Sequence, residues 1–121
     1  MIGSQFGTAD CTRVLSTIDF SMRPSVSVII PSFRRHKEVL RAVQCVLDQT
    51  LPPEEVIVSN DGPDPEKARL LAELGDDGIR FFEAPRRGNA SATRNFGIRQ
   101  ANGDWVALLD DDDVWLPEKL A

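Results

Sequence analysis

Four consecutive aspartates, Asp110 to Asp113, form the most concentrated group of chemically active side chains in the sequence. They follow the apolar run 105–109, which has the composition of a buried β-strand. If the strand direction continues, residues two apart point the same way, so Asp110 and Asp112 share one side. Two carboxylates from one short segment leave room for phosphate oxygens and waters to complete an octahedral shell around Mg²⁺ or Mn²⁺. The pattern predicts a metal–diphosphate site in which the metal neutralises charge on the diphosphate.

A solvated acidic turn is the alternative interpretation of this run. Four adjacent carboxylates repel one another without a cation, but an acidic tail does not normally follow an apolar strand and precede the mostly apolar segment 114–117. An EF-hand loop fits poorly because Val114 and Trp115 stand where it needs a glycine and further oxygen ligands. The sequence has neither a dinucleotide-binding glycine motif nor a P-loop motif. The context favours the metal site.

Polar and aromatic residues follow the other apolar runs as well. Asp61 either stabilises its own turn or accepts a hydrogen bond from a nucleobase ring N–H, which favours uracil or thymine. Phe33 either belongs to the core or stacks on that base. The helix start near Asn89 offers backbone N–H groups to phosphate or sugar hydroxyls. Four arginines are surface residues by default, although any of them beside a diphosphate would make charge-assisted contacts: Arg35, Arg86, Arg87 and Arg94.

Four short apolar runs alternate with three segments of helical periodicity. The predicted strands cover 26–30, 56–58, 79–82 and 105–109, and the predicted helices cover 36–50, a segment from 65, and 89–101. This order predicts an α/β fold with a mostly parallel sheet, whose third strand lies near an edge. Ligands of such sheets bind outside the carboxyl ends of the strands. The aromatic ring, the arginines, Asp61 and the acidic run are therefore expected at one edge of the sheet.

The bulk properties are those of one globular domain of 121 residues, with 41% hydrophobic and 27% charged residues. A net charge of −5 argues against nucleic-acid binding. Cys11 and Cys45 lack metal-ligand spacing and are expected to be thiols in a reducing cytosol. We predict a leader or linker over 1–23, with at most a short helix around 12–18, and a binding domain over 24–121. The start lacks a signal peptide, so we expect a cytoplasmic location, and we assign His36 to the surface rather than to catalysis.

From Ser25 to Leu120 the sequence resembles the family-two glycosyltransferases with the GT-A fold. Five blocks in the family's order carry the resemblance: VSVIIPSF at 26–33, QT at 49–50, EVIVSNDG at 55–62, GNASATRNFGI at 88–98 and ANGDWVALLDDDD at 101–113. The resemblance implies a Rossmann-like half of a GT-A domain.

The resemblance also implies roles for individual residues. Asp61 matches the carboxylate that reads the base, and Asp110 with Asp112 matches the D-x-D element, with Asp112 as the direct metal ligand. The residues expected around the nucleotide sugar are Pro31, Phe33, Arg35, Asp61, Arg94, Asp110 and Asp111. Two positions depart from the usual pattern: Phe33 replaces a tyrosine, and Asn60 replaces an aspartate, which we expect to alter donor preference.

The function implied is inverting transfer of a sugar from a UDP- or dTDP-type donor, with Mg²⁺ or Mn²⁺. The acceptor would be a glycan, lipid-linked or other hydroxyl, in polysaccharide or glycoconjugate synthesis. Similar enzymes continue into an acceptor-binding half that supplies an Asp or Glu general base. No residue here matches that base, so we expect a donor-binding domain truncated at its C-terminus.

Three alternatives concern the chain as a whole. It could be a non-catalytic nucleotide-binding or assembly module. Such a module would pair its exposed sheet edge with a partner chain or with a second copy of this chain. Peripheral membrane association is also left open. A nucleotidyltransferase is disfavoured because no glycine-rich, basic loop follows the first strand.

Overall fold

The computed structural model describes residues 25–120 and has the predicted alternating order of strands and helices. The strands are β1 (Val26–Ser32), β2 (Glu55–Asp61), β3 (Ile79–Ala84) and β4 (Trp105–Leu108); the helices are α1 (His36–Leu47), α2 (Pro65–Ala72) and α3 (Ala90–Arg99). The predicted leader, its short helix and Cys11 lie outside the described residues. In this part of the chain, no helix has the length and apolar character needed to cross a membrane.

The four strands form one parallel sheet in the order β3-β2-β1-β4. The predicted α/β class is confirmed, and β3 lies at an edge as expected. The centre of β1 is fully buried, as are Val56 to Val58 of β2 to within 1%. Burial on both faces is typical of parallel sheets that carry helices on each side, and it explains the continuous apolar runs in the sequence.

Alternation along the strands divides the core between the two faces of the sheet. Val28 and Ile30 belong to the apolar cluster that contains Val39 and Val43 of α1 and Leu71 of α2. The intervening Ile29 instead approaches Gly97 of α3. Helices α1 and α2 therefore cover one face, and α3 covers the other.

Strand β1 is longer than predicted because it continues through Pro31 to Ser32. Its pairing with β4 ends at Ile29, whose carbonyl accepts a hydrogen bond from Leu109 N at 3.0 Å. Alternate residues of a strand face the same neighbour, so the missing N–H of Pro31 faces the side where β4 has already ended. The proline therefore costs no hydrogen bond between strands.

Helix α1 is shorter than predicted, ending at Leu47 rather than at 50. Gln49 and Thr50 bind the segment that follows the acidic run instead of extending the helix. Gln49 Nε2 donates to Leu116 O at 2.7 Å, and Thr50 N donates to Pro117 O at 2.9 Å. The described residues form a turn at 117–119, with Lys119 N donating to Leu116 O at 3.0 Å.

Candidate functional site

A cleft of about 570 Å³ opens at the carboxyl edge of the sheet, between the ends of β1, β2 and β4 and the start of α3. The structure brings every predicted site residue to this one cleft: Pro31, Phe33, Arg35, Asp61, Arg94, Asp110, Asp111 and Asp112. The lining also includes residues outside that prediction, among them Ser32, Arg86, Gly88, Asn89 and Thr93. The parallel topology accounts for the convergence, since all these segments follow strands at the same edge.

The chain leaves β1 through an unusual backbone conformation. Arg34 and Arg35 both have positive φ angles, of 59° and 48°. Non-glycine residues seldom adopt this left-handed conformation, and such residues cluster at functional sites. Phe33, just before them, is 37% exposed, so it is not a core residue. The guanidinium of Arg86 lies over its ring, 4.1 Å from the ring centre.

Asp61, at the end of β2, is buried and holds the loop that follows β3. Its carboxylate accepts hydrogen bonds from Arg87 N at 2.7 Å and Gly88 N at 2.9 Å, and it pairs with the Arg86 guanidinium. Burial opposes ionisation of Asp61, but these hydrogen bonds outweigh it and keep the pKa of the carboxyl below its usual range. The carboxylate thus fixes a neighbouring loop rather than its own turn.

Arg86 is a cleft residue that the sequence prediction did not place among the binding residues. It contacts both Phe33 and Asp61, the two side chains expected to recognise a base. The sequence carried a signal, because Arg86 and Arg87 come directly after a predicted strand. Of the two, the structure places Arg86 in the lining of the cleft.

The acidic run forms a turn and does not extend β4. Strand β4 ends at Leu108, and Asp113 N donates to Asp110 O at 3.1 Å, which closes a tight turn. The predicted strand-like alternation is therefore wrong for this segment. The turn nevertheless brings one carboxylate oxygen each from Asp110, Asp112 and Asp113 within 4.8 Å of one another, and all three residues are exposed. This all-oxygen group suits Mg²⁺ or Mn²⁺, and it adds Asp113 to the predicted pair.

Asp111 points away from the other three aspartates. It is 8% exposed and accepts hydrogen bonds from Ser32 Oγ at 3.1 Å and Arg35 Nη1 at 3.4 Å. Burial raises the pKa of Asp111, while the bonds from Ser32 and the charge of Arg35 oppose the rise. Asp111 therefore anchors the turn to β1.

Two arginines partly balance the charge of the turn. Arg35 Nη1 also lies 2.9 Å from Asp112 Oδ2, and Arg94 Nη2 lies 3.7 Å from Asp110 Oδ1. The charge of Asp111, followed by the contacts with Asp112, raises the pKa of Arg35. With a metal on the aspartates, both guanidinium groups would stand beside it and suit phosphate oxygens.

Asn60 does not line the cleft. It is 1% exposed; its Nδ2 donates to Gly62 O at 2.7 Å, and its Oδ1 accepts from Lys67 Nζ at 2.6 Å. Asn60 is therefore not placed to contact a donor in the cleft, so the structure offers no direct basis for the expected influence on donor preference. His36 is likewise outside the lining, with Nε2 3.0 Å from Asp64 Oδ2, in keeping with a non-catalytic assignment.

Comparison with known proteins agrees with this geometry. The family model "Glycosyl transferase family 2" matches residues 27–121. An uncharacterised glycosyltransferase of Rickettsia bellii is 40% identical over 96 residues, which cover 78% of this chain and 14% of the relative. The Escherichia coli enzyme UDP-Glc:alpha-D-GlcNAc-diphosphoundecaprenol beta-1,3-glucosyltransferase WfgD is 30% identical over 78% of this chain and 38% of its own length.

Solved structures show the same fold. S. aureus TarS 1–349 in complex with UDP-GlcNAc superimposes with a TM-score of 0.71 at 24% identity, over 79% of this chain and 29% of that TarS chain. The mannosyltransferase PcManGT of Pyrobaculum calidifontis, in complex with GDP-Man and Mn²⁺, gives 0.65 at 30% identity, over 80% of this chain and 30% of that protein. This chain thus spans well under half the length of these proteins. It belongs to glycosyl transferase family 2, and its described residues have the α/β fold of the GT-A enzymes.

Proposed function

We propose that this chain binds a UDP- or dTDP-type sugar together with Mg²⁺ or Mn²⁺, as the donor site of an inverting glycosyltransferase. The observation that carries the proposal is a cluster of three carboxylates, two of which line the same cleft as Phe33 and Asp61. A nucleoside diphosphate needs these two groups of contacts at once, a stacking surface for the base and a cation for the diphosphate.

WfgD supports this donor class, whereas PcManGT, solved with GDP-Man, supports a nucleotide-sugar donor together with a metal ion. WfgD is named for UDP-Glc and for an acceptor linked to diphosphoundecaprenol. PcManGT, at 30% identity, was solved with a nucleotide sugar and Mn²⁺. We propose a lipid-linked or other glycan hydroxyl as acceptor, polysaccharide or glycoconjugate synthesis as the process, and a cytoplasmic location.

The residues of the cleft divide the work between binding and charge compensation. Asp110, Asp112 and Asp113 would hold the metal, which neutralises charge on the leaving diphosphate. Arg35 and Arg94 flank the turn and would contact phosphate oxygens. At the other end Phe33 offers a partly exposed ring to the base. The carboxylates that line the cleft in residues 25–120 are those of Asp61 and the acidic turn, so no general base is assigned there.

Calorimetric titration of the chain with UDP, with and without Mn²⁺, tests the proposal. We expect binding that depends on Mn²⁺, and an Asp112→Asn variant that weakens it about tenfold or more because a metal ligand is lost. Asp77→Asn is the matched control, because Asp77 is an exposed aspartate outside the cleft. A folded chain that binds UDP equally with and without Mn²⁺, or not at all, would contradict the proposal. A preference for GDP over UDP would overturn its base assignment.

A further inference from the structure

Lys67 of α2 is a buried cation that the site described so far does not use. Its relative exposure is 0%, which is rare for a lysine unless its ammonium group is paired. Nζ donates to Ser32 Oγ and to Asn60 Oδ1, each at 2.6 Å, and lies 3.9 Å from Asp64 Oδ2. The ammonium therefore sits between the ends of β1 and β2, directly behind the cleft.

The contacts of Lys67 fix the direction of a hydrogen-bond chain. An ammonium group can only donate, so Ser32 Oγ accepts from Lys67 and has one proton left to give. That proton points to Asp111 Oδ2, 3.1 Å away. Burial lowers the pKa of Lys67 to about 8, against the charges of Asp64 and Asp111, so the ammonium form still prevails at pH 7. The hydrogen bonds are therefore donated in one direction, from Lys67 to Ser32 and from Ser32 to Asp111.

The inward position of Asp111 decides where the other three aspartates point. In the tight turn closed by Asp113 N and Asp110 O, one carboxylate is held against β1, and oxygens of the remaining three lie within 4.8 Å of one another. If Asp111 were released, the turn would lose its buried anchor and the convergence of those three carboxylates would no longer be fixed. A metal site whose ligands are not held loses affinity.

We propose that Lys67 is a positioning residue for the metal. Through Ser32 it holds Asp111 inward, and it thereby sets the arrangement of Asp110, Asp112 and Asp113. The proposal rests on the proposed function, because it concerns the metal that this function requires. It predicts that loss of Lys67 weakens Mn²⁺ binding while UDP binding in the absence of metal stays unchanged, since Phe33 and Asp61 lie outside the chain of bonds.

Three single variants and one double variant separate this role from a general loss of structure. Lys67→Met removes the charge but keeps an unbranched side chain, and Ser32→Ala cuts the link while leaving the ammonium in place. Lys37→Met removes the same charge from an exposed position of α1 and is the control. Mn²⁺ binding is measured alone by electron paramagnetic resonance and with UDP by calorimetry, and near-ultraviolet circular dichroism checks folding.

We expect both Lys67→Met and Ser32→Ala to weaken Mn²⁺ binding about tenfold or more, with Lys37→Met like the wild type. Metal-free UDP binding should be unchanged in Lys67→Met, because Lys67 lies outside the lining of the cleft. Both changes interrupt the same series of hydrogen bonds. The double variant should therefore bind Mn²⁺ about as weakly as the weaker-binding single variant. If Lys67→Met fails to fold, the Mn²⁺ affinity of Ser32→Ala tests the proposal.

Several results would overturn the proposal. One is wild-type Mn²⁺ affinity in folded Lys67→Met or Ser32→Ala, and another is an equal loss of metal-dependent and metal-free UDP binding in Lys67→Met. In both cases metal-dependent binding by the wild-type chain leaves the proposed function standing. Absence of metal-dependent binding by the wild-type chain overturns the proposed function and this inference together.

Discussion

The carboxylate of Asp61 illustrates how much one buried residue does at the cleft. Its sequence context offered two roles, a stabiliser of its own turn or a reader of the base. The structure adds a third, because its oxygens accept from the backbone of Arg87 and Gly88 in a loop 26 and 27 residues further along the chain. Each carboxylate oxygen can accept more than one hydrogen bond, so holding this loop and binding a base are compatible.

An Asp61→Asn variant tests the loop-holding role. The amide has one acceptor oxygen, and its NH₂ group would face donors that now meet a carboxylate. We expect a loss of about 1–3 kcal/mol in the free energy of unfolding, measured with urea. UDP binding should weaken as well, because the loop carries Arg86 to the ring of Phe33. Asp77→Asn, on an exposed turn, should change neither quantity, and an unaltered stability in Asp61→Asn would contradict the role.

Lys67 gives the protein a pH dependence of known sign. Its pKa is about 8 in the folded chain against an ordinary value of 10.5, because burial disfavours the charged form. Between these two pH values the unfolded chain binds more protons at this lysine, so the contribution of Lys67 to stability rises with pH and levels off above 10.5. Urea unfolding from pH 7.5 to 10.5 should show this rise in the wild type. The rise should be missing in Lys67→Met and kept in Lys37→Met.

At the scale of elements, helix α3 sets the floor of the cleft because it lies unusually close to the sheet. A Cβ atom on Gly97 would come within 2.8 Å of Ile29 Cγ2 and 3.1 Å of Ser59 Cβ. Ser59 Oγ also donates to Thr93 O of the same helix at 2.7 Å. This close contact places the start of α3, where the Asn89 side chain accepts from Ala92 N at 2.9 Å, beside the acidic turn.

Two substitutions in α3 should change stability in opposite directions. Both Gly97→Ala and Asn95→Ala raise helix propensity, by roughly 0.5–1 kcal/mol. Gly97→Ala also forces a methyl group into the packed contact with Ile29, which costs about 1–3 kcal/mol and should outweigh the gain. Asn95 is exposed, so its alanine variant should keep the gain. Thermal unfolding monitored by circular dichroism shows whether each variant unfolds at a higher or a lower temperature than the wild type. A stabilised Gly97→Ala variant would contradict the close packing.

Across the whole molecule, the two ends of the sheet have separate tasks. The carboxyl end forms the cleft, whereas the amino end is fastened by Glu55, which is 6% exposed. Glu55 accepts from Ser27 Oγ at 2.7 Å, Arg80 Nη1 at 2.8 Å and Asn102 N at 2.6 Å, so it joins β1, β2, β3 and the loop before β4. Burial opposes its ionisation, but these bonds keep the pKa of Glu55 below its usual range.

A Glu55→Gln variant should separate stability from binding. In either orientation the NH₂ group of glutamine would face an N–H donor, that of Arg80 or of Asn102, so we expect a loss of about 2 kcal/mol or more in the free energy of unfolding. UDP affinity in Mn²⁺ should be unchanged where the variant remains folded, because Glu55 lies at the far end of the sheet. Glu73→Gln, which breaks an exposed pair with Arg69, should alter stability by less than about 1 kcal/mol. A large loss of affinity in Glu55→Gln would contradict the separation.

Local patterns in the sequence were enough to predict the order of elements, the parallel sheet and the edge at which the cleft lies. These follow from local patterns: apolar runs, helical periodicity and turn residues fix each element, and parallel topology brings the loops after the strands together. Phe33, Asp61, Arg94 and the acidic run could therefore be placed around one cleft before any coordinate was known. The ends of β1 and α1 were less predictable, because they depend on where β4 stops and on what Gln49 and Thr50 bind.

In contrast, local patterns could not predict which aspartate packs against β1 and which three group as candidate metal ligands. Asp111 turns inward because Ser32, 79 positions earlier, meets it, and Ser32 is in turn held by Lys67, 35 positions away. Nothing local marks Lys67 as buried or Asp113 as a neighbour of Asp110's carboxylate, because four identical side chains in a row carry no periodicity of their own. Their directions are set by contacts between residues distant in sequence, and such contacts exist only once the sheet has brought its strand ends together.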